Sequence, residues 1–276
     1  MNVTEISQFI RQAGQKGKQL RADGFEVMEK TPGDYVTSVD RSLDALIVAQ
    51  LQTWFPNDAV ISEENPNSVG LWLQELTRYW FIDPIDGTSD FVHNREHYAV
   101  MLGLLENEKP TMGWVYAPES DILFYGGTAL GNIFTCDRGG APIPAPIRPP
   151  TQGEFKVILS EKDEHRYGDA VLEVVPEAEF YSLGSFGLKV MEVVLGKAAV
   201  YIYLNRRVKL WDTVGPLAIA LAAGLVCCDL EGNPISFAPE AIEPTTLTHH
   251  QIIMVGWPEP LKALQPKLAE VLKLRL

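Results

Sequence analysis

A chain of 276 residues with 46% hydrophobic and 21% charged residues can build a sizeable core, which excludes bulk disorder. Its net charge of −13 argues against a general nucleic-acid or anionic-membrane binder, because both need a cationic footprint. A small anionic substrate stays open, since a bound metal ion inverts the local field.

The N-terminus, MNVTEISQFIRQAGQKGKQL, has no continuous apolar core and no cleavage signature, so no signal peptide is read there. Ile6, Ile10, Ala13 and Gly17 recur at helical spacing and predict an amphipathic helix over 4–21. Ser38 or Asp40 can open a second helix with Leu43, Leu46, Ile47 and Leu51 on its apolar face, ended by Trp54-Phe55-Pro56. Ala59 to Ser62 and Trp80 to Asp83 read as short buried strands. Segments 97–106, 111–116, 121–126 and 130–135 read as antiparallel strands separated by turn residues. Five prolines in GGAPIPAPIRPPTQG, Gly139 to Gly153, fit neither a helix nor a central strand. This connector is the expected boundary between an N-terminal α+β half (1–145) and a C-terminal half (146–276). Beyond it, strands at 156–160, 199–203, 225–229 and 251–255 alternate with helices at 163–174, 185–196, 212–223 and 258–273, an α/β pattern. The apolar run Val214 to Cys228 is shorter than the roughly 20 residues of a membrane span. Cys136 and the adjacent Cys227 and Cys228 have no metal-ligand spacing and read as core residues of a reducing cytoplasm.

The chemistry concentrates in YWFIDPIDGTSDFV, Tyr79 to Val92. Asp83 and Asp86 stand close together in a turn after a strand, where like charges repel unless a cation lies between them. All-oxygen ligands with no nearby cysteine or histidine suit Mg²⁺, or Mn²⁺, rather than Zn²⁺. A pair of surface turn aspartates is the plain alternative. Glu63-Glu64 also ends a short apolar strand, and Asp212 precedes a long apolar helix that it could equally cap. Asp86-Gly87-Thr88-Ser89 has the form of a helix start, where free N–H groups suit a phosphate. Carboxylates for metals beside an anion cradle describe metal-assisted phosphoryl transfer to water.

In four segments the chain resembles the lithium-sensitive, Mg²⁺-dependent phosphatases of the inositol monophosphatase superfamily: GDYVTSVD (33–40), AVISEEN (59–65), WFIDPIDGTSDFV (80–92) and WDTVGP (211–216). They occur in the family's order and span most of the chain. The resemblance implies a layered αβαβα sandwich of the α+β and α/β classes. It implies that Glu63, Asp83, the Ile85 carbonyl, Asp86 and Asp212 hold two or three Mg²⁺ ions. Asp40 and Thr88 then activate the attacking water, with Glu64 as the neighbouring acid, and Gly87, Thr88 and Ser89 cradle the phosphate.

The second half decides the substrate. Inositol monophosphatases resemble one another in a glutamate seven residues before the WD aspartate; here that position is Asn205, followed by Arg206, Arg207 and Lys209. Short basic runs are commonly solvated loop faces. Guanidinium groups beside Asp212 also suit a second phosphate. LGSFGLKVMEVVLGKAAVYIYL (183–204) resembles the bisphosphate nucleotidases, whose Gly/Ser-rich turn precedes a helix with a nucleotide-contacting lysine. Ser185 and Lys189 match those positions, although a helix lysine can simply snorkel. The leading expectation is a cytoplasmic 3′(2′),5′-bisphosphate nucleotidase of sulfur metabolism that acts on adenosine 3′,5′-bisphosphate. Alternatives are an inositol-1-monophosphatase of broad specificity, a sugar bisphosphatase, and a non-catalytic regulator that keeps the fold. The expected partner is a small phosphorylated substrate, not a nucleic-acid polymer or a membrane, and a homodimer stays open.

Overall fold

The protein is described here as a computed structural model covering residues 2–74, 76–151 and 155–273. It opens with α1 (Val3–Asp23), a hairpin of β1 (Val27–Thr31) and β2 (Asp34–Thr37), and α2 (Ser38–Trp54). Then come β3 (Ala59–Ser62), β4 (Arg78–Asp86), α3 (Thr88–Val92), β5 (Ala99–Glu106), β6 (Lys109–Ala117), β7 (Ile122–Gly127), β8 (Asn132–Asp137) and β9 (Ile143–Pro144). The second half comprises β10 (Lys156–Ile158), α4 (Glu161–Val174), β11 (Glu179–Tyr181), α5 (Phe186–Val194), β12 (Val200–Tyr203), α6 (Leu210–Ala222) and β13 (Val226–Cys228). It ends with β14 (Ile242–Glu243), β15 (Thr248–His249), β16 (Ile253–Gly256) and α7 (Pro258–Lys273).

These elements stack as an αβαβα sandwich. Strands β3 to β9 form a seven-stranded sheet in sequence order, antiparallel except for the parallel β3–β4 pair. Its outer face carries α1 and α2, whose Ile6, Ile10, Leu43, Ile47 and Leu51 pack with Trp80 and Trp114. Its inner face carries α5 and α6, which also cover the second sheet. That sheet has the order β11-β10-β12-β16-β13, and α4 and α7 close its far side. It is mixed: β10 runs parallel to β11 and β12, whereas β16 is antiparallel to β12 and β13. Alternation of helices and strands along the sequence does not say whether a connection crosses over or returns.

The connector carries the chain from one sheet to the other. Residues 143 and 144 add a short edge strand, where a proline costs no ladder bond; residues 152 and 153 lie outside the described residues. Several elements had no periodic signal: the β1–β2 hairpin, β11, and the β14–β15 pair.

One contact sets the depth of α6. Gly215 lies against Gly103 and Gly113 of β5 and β6; a Cβ at Gly113 would meet the Gly215 carbonyl oxygen at 1.9 Å, and one at Gly103 the Gly215 nitrogen at 2.4 Å. Missing side chains on three elements thus let the helix backbone reach the sheet backbone. Gly113→Ala must push α6 outward, because the obstruction is main chain. Overpacking of this kind costs ~1–3 kcal/mol, so a clear fall in thermal midpoint and in activity is expected; an unchanged midpoint would refute the contact.

Candidate metal and active site

Parallel pairing of β3 with β4 matches Ser62 with Ile82, so the two strands end at one sheet edge. Glu63 follows that edge, and its N–H donates to the Ile82 carbonyl (3.2 Å). The register of β4 against β5 is interrupted between Asp83 and Asp86, where Pro84 removes a donor. The break turns Asp83 and Asp86 toward the same space. There they meet Asp212, in the first turn of α6, so that carboxylate oxygens of all three lie within 4.8 Å of one another.

Each carboxylate is held by the backbone. Ile85 N–H donates to Asp83 Oδ1 (3.0 Å), and Lys209 N–H donates to Asp212 Oδ2 (2.7 Å). Asp86 Oδ2 accepts the Gly187 N–H (2.8 Å) and the Ser185 hydroxyl. Thr88 Oγ1 donates to the Ile85 carbonyl (2.9 Å). Asp40 closes a capping box with Thr37 at the start of α2, accepting the Thr37 N–H (2.9 Å) and hydroxyl.

The electrostatics are those of crowded, desolvated anions. Burial, and then the charges of Glu63, Asp86, Asp212 and Asp40, push the Asp83 carboxyl well above the ordinary range. Burial and Asp212 push Glu63 up; burial and Asp86 push Asp212 up. Asp86 is raised by burial, with Ser185 and the N–H groups at the start of α5 opposing. Asp40 rises to about 6, mainly through burial, with the Thr37 hydrogen bonds opposing. Such a group of oxygen donors gains from a hard divalent cation, which removes the mutual repulsion. Asp83, Asp86 and Asp212 therefore fit a Mg²⁺-type ion in chemistry and in spacing.

The remaining residues singled out in the sequence fall into three places. Glu64 is drawn to Lys30 of the β1–β2 hairpin, Nζ to Oε1 2.8 Å, and Lys30 also lies 3.7 Å from Glu63 Oε1. Gly87 adopts φ 90°, and a Cβ there would lie 2.9 Å from both the His97 carbonyl oxygen and the Ser185 nitrogen, so only glycine fits this crossing into α3. Ser89 follows in the first turn of α3, with Arg95 Nη2 3.4 Å from its hydroxyl.

Ser185, expected at the substrate, is instead fully buried, with its hydroxyl on Asp86 and on the Leu188 N–H (3.0 Å). Lys189 is only 6% exposed. Burial lowers its pKa, against the opposing pull of Asp86, Asp163, Asp90 and Asp212, and its ammonium stands 5.5 Å from the Tyr201 ring centroid. Arg206 and Arg207 are exposed and line a separate cleft that does not include Lys189.

Sequence patterns missed His249. Burial holds it neutral, pushing its pKa down to about 3, and its Nε2 lies 2.8 Å from Thr213 Oγ1, next to Asp212. The segment 247–249 bonds to Val208 and Leu210 and so braces the start of α6. The adjacent pair His249-His250 has no spacing that signals that role.

The profile of the inositol monophosphatase family matches residues 2–273. The 3′(2′),5′-bisphosphate nucleotidase CysQ of Salmonella typhimurium is 30% identical over 238 residues, covering 85% of this chain and 93% of that protein. Inositol-1-monophosphatase of Bacillus subtilis is 26% identical over 246 residues, covering 86% and 89%. Among solved structures, an IMPase/NADP phosphatase complexed with Mg²⁺ and phosphate superposes with a TM-score of 0.73 at 21% identity, covering 98% of this chain and 94% of that one.

Proposed function

The chain belongs to the inositol monophosphatase family and is a phosphatase, and from that premise we propose that it is a Mg²⁺-dependent 3′(2′),5′-bisphosphate nucleotidase that removes the 3′-phosphate of adenosine 3′,5′-bisphosphate. Asp83, Asp86 and Asp212, with Glu63 and the Ile85 carbonyl, are the proposed holders of Mg²⁺. When bound, the metal supplies Lewis acidity, which acidifies water and neutralises charge on phosphate oxygens.

The other roles belong to the chain. Asp40, with a pKa raised to about 6 and its carboxylate fixed by Thr37, is suited to take a proton near neutral pH. Thr88 commits its hydroxyl proton to the Ile85 carbonyl, so its oxygen lone pairs are left to accept from a water and orient it. The first-turn N–H groups at Gly87, Thr88 and Ser89 have no helix carbonyl to reach and are the proposed phosphate cradle. Glu64, paired with Lys30, stands beside Glu63 as the supporting acid.

The substrate reading rests on the loop before α6. Asn205 Oδ1 accepts the Arg207 N–H (3.1 Å), so the amide that stands where inositol enzymes have a glutamate shapes the loop, while Arg206 and Arg207 face an open cleft. The CysQ relative at 30% identity supports the same reading. The Bacillus inositol-1-monophosphatase keeps a second reading, a monophosphatase of broad specificity. Values of kcat/KM on adenosine 3′,5′-bisphosphate, inositol 1-phosphate and fructose 1,6-bisphosphate, with and without Mg²⁺, decide between them; preference for inositol 1-phosphate would overturn the nucleotidase. Inhibition by lithium and a place in sulfur metabolism go with the nucleotidase proposal.

Thr88→Val tests the water-orienting role. It is expected to lower kcat by about 10²-fold, the scale of a positioned proton-transfer partner, while KM changes little, because the hydroxyl acts in the transition state. A change confined to KM would make Thr88 a phosphate ligand only.

A further inference from the structure

We propose that the cleft between the first turns of α4 and the loop 204–207 is a second anion subsite, in which Lys162 and Arg166 act together with Arg206 and Arg207 to bind the phosphate that the enzyme does not remove. This deepens the nucleotidase reading and rests on it for the identity of the scissile phosphate. The cleft has a volume of about 420 Å³, and all four cations line it, a size ordinary for a small-molecule site.

Three observations carry the assignment. First, the cations converge without ion pairs among the described residues, Arg166 resting only on the Tyr167 ring, 5.1 Å from its centroid. Lys162 and Arg166 stand four residues apart on one face of α4, where like charges repel. Across the cleft are Arg206 and Arg207, and among the described residues none of the four makes an ion pair. Four cations at one spot with no ion pair among the described residues, in a chain of net charge −13, are a charge surplus that an anion would neutralise.

Second, the two sides are tied to each other. Asp163, 4% exposed, lies at the start of α4 and lines the cleft, and its Oδ2 is 3.4 Å from the Leu204 N–H that begins the opposite loop. The Asn205–Arg207 bond then fixes the loop itself. Third, the cleft adjoins the carboxylate site. Tyr203, just before the loop, has its phenol pKa raised by burial first and then by the nearby charges of Asp212 and Asp163, with Asn205 and Arg207 opposing, and α6 begins at Leu210. A substrate can thus place one phosphate at Asp86 and Asp212 and another among the cations. Guanidinium forks match phosphate oxygens in pairs, which a single exposed lysine does not.

The matching ligand is a compound with a second phosphate monoester on the leaving group, so the product alcohol is itself a ligand of the cleft. The test is Lys162→Met, Arg166→Met and the double variant, all at exposed positions. With Mg²⁺ present, kcat/KM is measured on adenosine 3′,5′-bisphosphate and on adenosine 3′-monophosphate, which shares the scissile group but lacks the second phosphate. Calorimetry compares binding of adenosine 5′-monophosphate with that of adenosine. Each single variant is expected to lose about tenfold or more on the bisphosphate, the scale of a charge-assisted hydrogen bond, and little on the monophosphate. The preference for adenosine 5′-monophosphate over adenosine should shrink in parallel. Equal losses on both substrates, or an unchanged binding preference, would overturn the subsite. If the wild type hydrolyses neither adenosine ester, the nucleotidase reading fails, while the binding comparison still decides the cleft: a preference abolished in the double variant supports it, and no preference in the wild type refutes it.

Discussion

Asp86→Asn is expected to lower kcat/KM at saturating Mg²⁺ by about 10³-fold or more while the fold survives. The side chain keeps its shape, and its remaining oxygen can still accept from Ser185 and Gly187. What disappears is one of three converging charges. Losing a metal-held charge costs several kcal/mol of transition-state stabilisation, and each ~1.4 kcal/mol is a factor of ten in rate. The same change should raise the thermal midpoint of the metal-free protein, because Asp86 adds to the repulsion on Asp83 and Asp212. Lower activity together with higher metal-free stability separates loss of a ligand from misfolding. Turnover within tenfold of wild type would sink the assignment of Asp86 to the metal.

The parts of this site that lie in one stretch of chain were the legible ones. Asp83, Asp86 and Thr88 are local to a strand end, and the proline between the two aspartates marks a break in the ladder that can turn both carboxylates to one side. Glu63 could be placed beside them because two short apolar strands that both end in acids need only pair in parallel to share an edge, as β3 and β4 do. Asp212 was legible as a helix start; its distance from Asp86 was not, since that distance depends on Gly215 meeting Gly103 and Gly113 from two strands about a hundred residues away. Contacts of that kind leave no period in a sequence. For the same reason Ser185 and Lys189 read as substrate contacts, although burial turns one onto Asp86 and the other toward a set of carboxylates. Lys162 and Arg166 gave no signal at all, because a pair of helix cations acquires meaning only from what stands across the cleft.

The metal-free protein is expected to lose stability as pH rises from about 5 to 8, and Mg²⁺ is expected to reverse the loss. In the folded chain Asp40 titrates near pH 6, Asp212 is pushed up to about 7 and Glu63 up to about 8, and Asp83 also lies well above its ordinary value. The cause at each is burial first and neighbouring anions second, except at Asp40, where the Thr37 hydrogen bonds oppose burial. Unfolded carboxyls titrate at ~4, so between about pH 4 and 8 the folded state holds more protons than the unfolded one. Stability then falls as pH rises, because the slope follows protons bound unfolded minus protons bound folded. The contribution is fully present below about pH 4 and is gone once pH passes the folded values. Several raised carboxyls together make this an effect on the order of several kcal/mol. Mg²⁺ binds the folded chain through deprotonated ligands, so its stabilisation grows over the same interval. Urea midpoints at pH 5, 6.5 and 8, in chelator and in excess Mg²⁺, test both halves: the chelated series should fall, and the gap between the two series should widen with pH. A chelated series that stays level or climbs would mean that the carboxylates are already neutralised by the chain, leaving no electrostatic demand for a metal at Asp83, Asp86 and Asp212.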